Sequence, residues 1–400
     1  MYVTRHLSHY KKDHNALSGS LPDPPEGPNS GYLVLQDEAA QSYCCFGLWK
    51  NNCISHLPFP QDKNLTVTYI ESYGEDVTID LDKVIFIPVL NQSLSSNRYY
   101  VIRRKGKHQG EACTSSKQED MKNCLFCKCV KDVKPRPLDP FNEYQQFEII
   151  KTRCGFYAKP VAEDAFPPLF LRRKSWRLCA KTPHNYTLDE ALGINHSLRG
   201  QLLPTINFPL SNDRSDSVVI GKWYCPFMFV KEGMKLKDQM KGSVFYEMTL
   251  EQRWEKIFSK KNSSIGSEGN EVFVDVVVET ELAMVDGKQA FWDEGNVDDG
   301  VLWFKSLDNV GGGVSVGLSL VIGERMKWEQ ERGGWLGFNN NNNNNKQVRV
   351  TREEKFKGAP RWEDFGCFVL VESFVLKRMD GSVVVTYDFR HTHQIMCKWE

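Results

Sequence analysis

Two stretches in the C-terminal third of the chain follow one pattern, and that pattern demands paired β-strands. Val277-Val278-Glu279-Thr280 leads to Asp286-Gly287, and Leu370-Val371-Glu372-Ser373 leads to Asp380-Gly381. Each is an apolar run, then an acid and a hydroxyl, then an Asp-Gly turn, then a return run. Asp-Gly supplies the positive φ angles of a tight turn, so each copy predicts a hairpin. The copies differ by a one-residue indel. Together they predict a β domain with two related, pseudo-repeated hairpins.

Alternation strengthens this reading. Val272, Val274, Val276, Val278, Leu282 and Met284 share one strand face, opposite Glu271, Asp275, Glu279 and Glu281. Val314, Val316, Leu318, Leu320 and Ile322 alternate with Ser315, Gly317 and Ser319 in a second predicted strand. The last strand places Val383, Val385, Tyr387, Phe389, His391, His393 and Ile395 opposite Thr386, Asp388, Arg390, Thr392 and Gln394. The asparagine run over 339–345 has no side chain to pack and predicts a disordered loop.

Upstream, short strand-like runs stand between turn signals: Tyr32–Leu35, Leu65–Ile70, Val84–Val89, Tyr99–Arg103, Phe147–Ile150, Leu169–Leu171 and Val218–Ile220. Two helices are expected. Thr187 and Glu190 form a capping box with Gly193 as the stop, and Thr249 and Gln252 form a second. Leu250, Trp254, Ile257 and Phe258 then make an apolar stripe at helical spacing. The predicted fold class is mainly β with minor α. Residues 1–27 are an irregular lead-in closed by prolines, and 28–230 a β-rich domain. A helical connector follows over 231–262, then a flexible linker, and 270–400 forms an antiparallel β-sandwich or barrel.

Charge removes whole classes of partner. The chain carries 51 basic and 51 acidic residues among 400, so no global field gathers nucleic acid. Two local patches remain as anion contacts: Arg103, Arg104 and Lys105, and Arg172, Arg173 and Lys174. Such runs also serve as ordinary solvated faces. The opening residues lack the apolar region of a secretory signal, and no window approaches a membrane helix. Cytoplasm or nucleus is the expected compartment, with the twelve cysteines mostly free thiols.

Several segments resemble a plant-specific family. They are Met1-Tyr2-Val3-Thr4-Arg5, Pro25-Glu26-Gly27-Pro28-Asn29-Ser30-Gly31-Tyr32-Leu33-Val34 and Lys131-Asp132-Val133-Lys134-Pro135-Arg136-Pro137-Leu138-Asp139-Pro140. Gly221-Lys222-Trp223-Tyr224-Cys225-Pro226-Phe227 and Lys377-Arg378-Met379-Asp380-Gly381-Ser382 belong with them. The family is known as domain of unknown function twelve-sixty-two. The resemblance implies a plant source and carries over no catalytic or binding residue. Some relatives bear the label of an insecticidal crystal toxin, which implies at most a β-rich architecture.

Four groups of residues could carry chemistry. Cys124 and Cys127 have the spacing that lets two thiolates reach one zinc, Cys129 could add a third, and Cys113 or His108 a fourth. The same cysteines suit S-acylation, redox sensing or plain free thiols. His391 and His393 project from one strand face as a metal pair or pocket lining, although their aromatic neighbours favour core histidines. Trp328, Trp335 and Trp362 form an interaction surface if they cluster. The alternating strands suit a membrane-inserting hairpin as well as a sandwich. No nucleotide loop, nucleophile elbow or metalloprotease helix is present, so an enzyme is not indicated. The expected function is a non-enzymatic, soluble intracellular binding protein with an unknown protein partner. A membrane-active β protein is the first alternative and a zinc-binding module the second. No cofactor is expected beyond that zinc.

Overall fold

Apolar–polar alternation along the chain is realised as β-strand almost throughout. The computed structural model describes residues 1–8, 27–36, 43–44, 49–50, 52–124, 127–201, 208–262, 270–292, 300–306, 313–335, 346–358 and 361–400. Fully described α-helix is confined to Leu169–Arg172, His196–Gly200, Leu236–Gly242 and Leu320–Arg332. The chain divides into two compact units of two segments each. One comprises Met1–Ala191 and Tyr224–Phe245, the other Leu192–Trp223 and Tyr246–Glu400.

The first unit holds a seven-stranded antiparallel sheet. Its order is Gly155–Pro160, Gln146–Thr152, Arg98–Arg103, Asp76–Pro88, Asn64–Tyr73, Arg177–Lys181 and Cys53–Ile54. One face is a dense aromatic core. Phe59 lies 4.9 Å from Phe86, and Phe86 stacks on Trp176 at 6.2 Å. The Trp176 indole donates to the Leu171 carbonyl at 2.9 Å, so its buried N–H is satisfied. A separate parallel pair, Tyr2–His6 with Gly31–Leu35, is fully paired along its length.

The second unit is a run of antiparallel strands in the order Ser315–Ser319, Val301–Ser306, Lys288–Trp292, Glu281–Val285, Val383–Trp399, Asp364–Arg378 and Phe245–Lys261. Glu271–Glu279 and Gln347–Lys355 form a ribbon beside it in sequence. Both Asp-Gly turns close hairpins. Asp286 and Gly287 have φ of 50° and 73°, the two positive angles of a two-residue turn. At the second turn only Gly381 is positive, at 85°, and the hairpin register shifts beside it.

Several expectations are corrected. Residues 245–261, read as helix, are one long strand. The spacing of Leu250, Trp254 and Phe258 is even, so it fits a period of two as well as a helix. Ile257 is an extra residue where the register shifts between Lys256 and Phe258. That bulge turns Phe258 toward a different cluster from Trp254, which imitated a helical stripe. Thr249 donates to Glu251 at 3.0 Å instead of capping a helix. The helix expected at Thr187 is absent, and a short one starts at Asn195, whose side chain accepts from the Leu198 N–H. Leu169–Leu171, read as strand, lie in a helical turn. Leu320 and Ile322 leave the strand and open the Leu320–Arg332 helix. There Val321, Ile322, Arg325, Met326, Glu329 and Gln330 are buried, which is helical spacing. Leu282 and Met284 do not share a face with the valines of 272–278, because the chain breaks strand at Thr280. Tyr2–His6, inside the expected lead-in, is a buried strand. The asparagine run and most of the linker lie outside the described residues.

Candidate functional site

The long hairpin of the first unit, Asn64–Tyr73 with Asp76–Pro88, outruns its neighbours. Pairing with Arg177–Lys181 stops at Thr68, and pairing with Arg98–Arg103 starts at Val84. The overhang is amphipathic in an unusual sense. Tyr69, Glu71 and Asp80 continue the core side, where Arg173 pairs with Asp80 and Glu71 and lies 4.5 Å over the Tyr69 ring. Ile70, Val77, Ile79 and Leu81 point the other way and are 49%, 60%, 55% and 59% exposed. Ile70 and Ile79 are register partners, and Thr68 and Ser72 face Leu81 and Val77, so the four apolar side chains are contiguous.

The base of that same face is basic. Lys83 sits opposite Thr66, which sits opposite Cys179, and Lys181 and Arg177 flank Cys179 at two-residue spacing. Arg104 extends the row from the far side, its backbone N–H donating to the Lys83 carbonyl at 2.9 Å. Lys105 crowds this group. Its ammonium, with burial, Arg104 and Lys181, holds the Lys83 ammonium below its ordinary range. Burial pulls the Arg104 guanidinium down too, and its Nε is buried without a hydrogen-bond partner among the described residues. The strand's own acids, Asp80 and Asp82, lie on the opposite face and are paired there with Arg173 and Arg103. An apolar strip thus adjoins converging cations, with Glu75 and Asp76 at the hairpin tip as exposed acids.

The second unit offers a groove and a buried cluster. The groove, about 470 Å³, is lined by Arg214, Arg253, Arg390, Glu251, Glu255, Asp388 and Ser373 with Leu282, Met284, Val375 and Val383. Its charges are largely satisfied within. Arg253 bonds Ser373 and reaches Asp388 at 2.6 Å, and Arg390 reaches Glu255 at 2.8 Å. On the other side of the same strands Glu372 is buried against Arg199. Gln252 donates to Glu372 at 3.0 Å and Gln330 at 2.9 Å. Burial alone would raise the Glu372 carboxyl, but the His391 imidazole and Arg199 guanidinium outweigh it and hold it at about 2. This cluster fixes the His196–Gly200 and Leu320–Arg332 helices to the strands, since Arg199 also donates to the Glu329 carbonyl at 2.9 Å.

Residues 26–127 match a family model. Its description is "Protein of unknown function (DUF1262)", and the match spans about a quarter of the chain. It takes in the whole exposed hairpin. No curated protein matches. Among solved structures, the crystal structure of Cry35Ab1 is similar with a TM-score of 0.43 and 11% identity, over 85% of this chain and 90% of that chain.

The residues singled out from sequence are distributed as follows. Cys113 is in the aromatic core of the first unit, where burial pushes its thiol up to about 12. Cys124 and Cys127 are register partners in a hairpin with Cys129 beyond them, and the side chains of Cys124 and Cys127 lie outside the described residues. Among the described residues no group of three or more metal-ligating side chains gathers. His391 is buried with Nε2 at 3.2 Å from Gln330, whereas His393 is exposed. The strand bulges between His391 and Ile395 with His393 inside the bulge, which breaks the shared face expected for residues 391–395. Trp362 is buried 5.0 Å from Trp399, Trp335 packs on Phe389 at 5.2 Å, and Trp328 lies between Arg325 and Arg332. Each packs on a different neighbour, and none is among the large exposed hydrophobics. Arg103 pairs with Asp82 at 2.6 Å and Arg172 with Asp132 at 3.0 Å, while Lys174 is exposed. The basic runs therefore split by strand face, and only Arg104 and Lys105 join the cationic group. Sequence reading missed Lys83, Arg177, Lys181 and the apolar strip. Their signal was the alternation of Val77, Ile79 and Leu81 with Asp76, Thr78, Asp80 and Asp82.

Proposed function

We propose that this chain is a non-enzymatic binding protein that docks on anionic lipid surfaces through the overhanging hairpin and its basic base. The observation that carries the reading is the continuity of the exposed apolar strip with cations on one sheet face that have no ion-pair partner among the described residues. Soluble folds rarely leave contiguous aliphatic side chains in water without use. Ile70, Val77, Ile79 and Leu81 reach into the acyl boundary, and Lys83, Lys105, Arg177 and Lys181 meet phosphate and carboxylate headgroups. Burying the exposed half of each aliphatic side chain contributes about 1 kcal/mol, and each cation near an anionic membrane adds about 1 kcal/mol. The gross sum of ~8 kcal/mol corresponds to micromolar binding before the cost of association. Among the described residues no helix is long and apolar enough to cross a membrane. The groove of the second unit is a weaker candidate, because its charged floor is already paired.

Sedimentation with vesicles tests this. Wild-type protein at 0.1 M salt is expected to pellet with phosphatidylserine–phosphatidylcholine vesicles and to stay in solution with phosphatidylcholine alone. Ile79→Asp with Leu81→Asp, and Lys83→Glu with Lys181→Glu, each lower binding at least about tenfold. Absence of wild-type binding to the anionic vesicles rejects the proposal. Equal binding to both lipids rejects its electrostatic half.

A further inference from the structure

Cysteines face cysteines across antiparallel strands at three places: Cys53 opposite Cys179, Cys124 opposite Cys127, and Cys367 opposite Cys397. With 12 cysteines in 400 residues, a given cross-strand pair holds two of them about once in a thousand by chance. Cys53 with Cys179, and Cys367 with Cys397, thus occupy register positions whose spacing suits a disulfide. Antiparallel partners place their Cα atoms about 4.5–5.5 Å apart, inside the ~4.4–6.8 Å span of disulfides. The side chains of Cys53 and Cys179, and those of Cys367 and Cys397, also leave the sheet on the same face. The structure holds Cys53, Cys179, Cys367 and Cys397 as thiols.

We infer that Cys367–Cys397 and Cys53–Cys179 are oxidation sites that close to cross-strand disulfides. The Cys367–Cys397 pair carries the argument furthest. Cys367 is fully buried beside Val272, Val274, Trp362 and Phe365, and Cys397 is half-buried at the edge of the same cluster. The two thiols hydrogen-bond each other, which lowers the Cys367 thiol and raises that of Cys397. Hydrogen peroxide reaches the half-buried sulfur. One sulfur of the pair attacks the O–O bond, forming a sulfenic acid and releasing one water. The partner sulfur then attacks the sulfenic sulfur, the S–O bond breaks, and the departing hydroxide takes up the partner thiol's proton to leave as a second water. Two thiols are oxidised and one peroxide is reduced. In the first unit Cys53 is exposed and Cys179 half-buried, and the Thr68 hydroxyl lies 3.9 Å from the Cys179 sulfur. Closure there ties the short Cys53–Ile54 strand to the edge of the seven-stranded sheet.

The test is peptide mapping of the full chain after mild hydrogen peroxide, with alkylation and no reductant. The expected result is loss of two hydrogen masses per bridge and linked peptides joining Cys367 to Cys397 and Cys53 to Cys179. Cys397→Ser removes the first linkage and leaves the second. The wild-type map alone decides if that variant does not fold. Recovery of Cys367 and Cys397 as separately alkylated residues overturns the inference, as does linkage of either to Cys113, Cys154 or Cys225.

Discussion

Glu372 shows how much one residue's neighbours decide. It is the acid of the repeated hairpin pattern, and tertiary folding buries it between Arg199, Gln252, Gln330 and His391. Its carboxyl is held at about 2, below the ordinary 4.5. A depressed carboxyl stabilises the fold fully above its unfolded value and loses that contribution as pH falls through the folded one. Stability should therefore decline from pH 4.5 toward pH 2, by about 3 kcal/mol from this group. Urea unfolding at a series of pH values measures it. A flat profile over that window would contradict the assignment. Glu372→Gln should cost about 3–5 kcal/mol at neutral pH, because the Arg199 guanidinium stays buried without its counter-charge. The neighbouring Ser373 points to the other face and bonds Asp388 at 2.6 Å, so adjacent residues serve different structures.

Elements were legible where periodicity was unambiguous. Both Asp-Gly hairpins, the valine-rich ribbon strand and the last strand all formed as strands. The 245–261 strand was misread because an even spacing plus one bulge looks like a helix. Turns impose their own limits at this scale. Gly155 closes the hairpin between Gln146–Thr152 and Gly155–Pro160 with φ of 154°. A Cβ there would stand 2.3 Å from the Trp176 carbonyl oxygen, a backbone atom that cannot step aside. Gly155→Ala should destabilise the first unit by more than the ~1 kcal/mol of an ordinary strained glycine replacement, read from its thermal midpoint. Gly287→Ala, with positive φ but open space, should stay near that ordinary cost.

For the whole molecule, net neutrality matters as much as any patch. With 51 charges of each sign the formal net charge is zero, so under the proposed function attraction to a lipid surface rests on local cations such as those of the first unit. Such attraction is screened beyond about 10 Å at 0.1 M salt and about 3 Å at 1 M. Vesicle binding should consequently fall steeply between those concentrations. Binding that persists unchanged at 1 M would assign the affinity to the aliphatic strip alone. The same reasoning separates the two faces of the hairpin. Arg173, Asp80 and Glu71 neutralise one another on the core side, so substitutions there should alter stability and leave lipid binding intact.

The sequence by itself determined a mainly β protein, the sites of its Asp-Gly turns and the neutral global charge, because these follow from local backbone preference and counting. Which face each alternating strand turns to water was decided only by tertiary structure. Val77, Ile79 and Leu81 alternate with polar residues like core positions, yet among the described residues the neighbouring strands stop short of them. Lys83, Arg104, Arg177 and Lys181 lie up to ~100 positions apart in the chain, and only strand register gathers them on one face. The facing of Cys53 and Cys179 was invisible for the same reason: pairing between strands distant in sequence is a long-range property that local pattern does not encode.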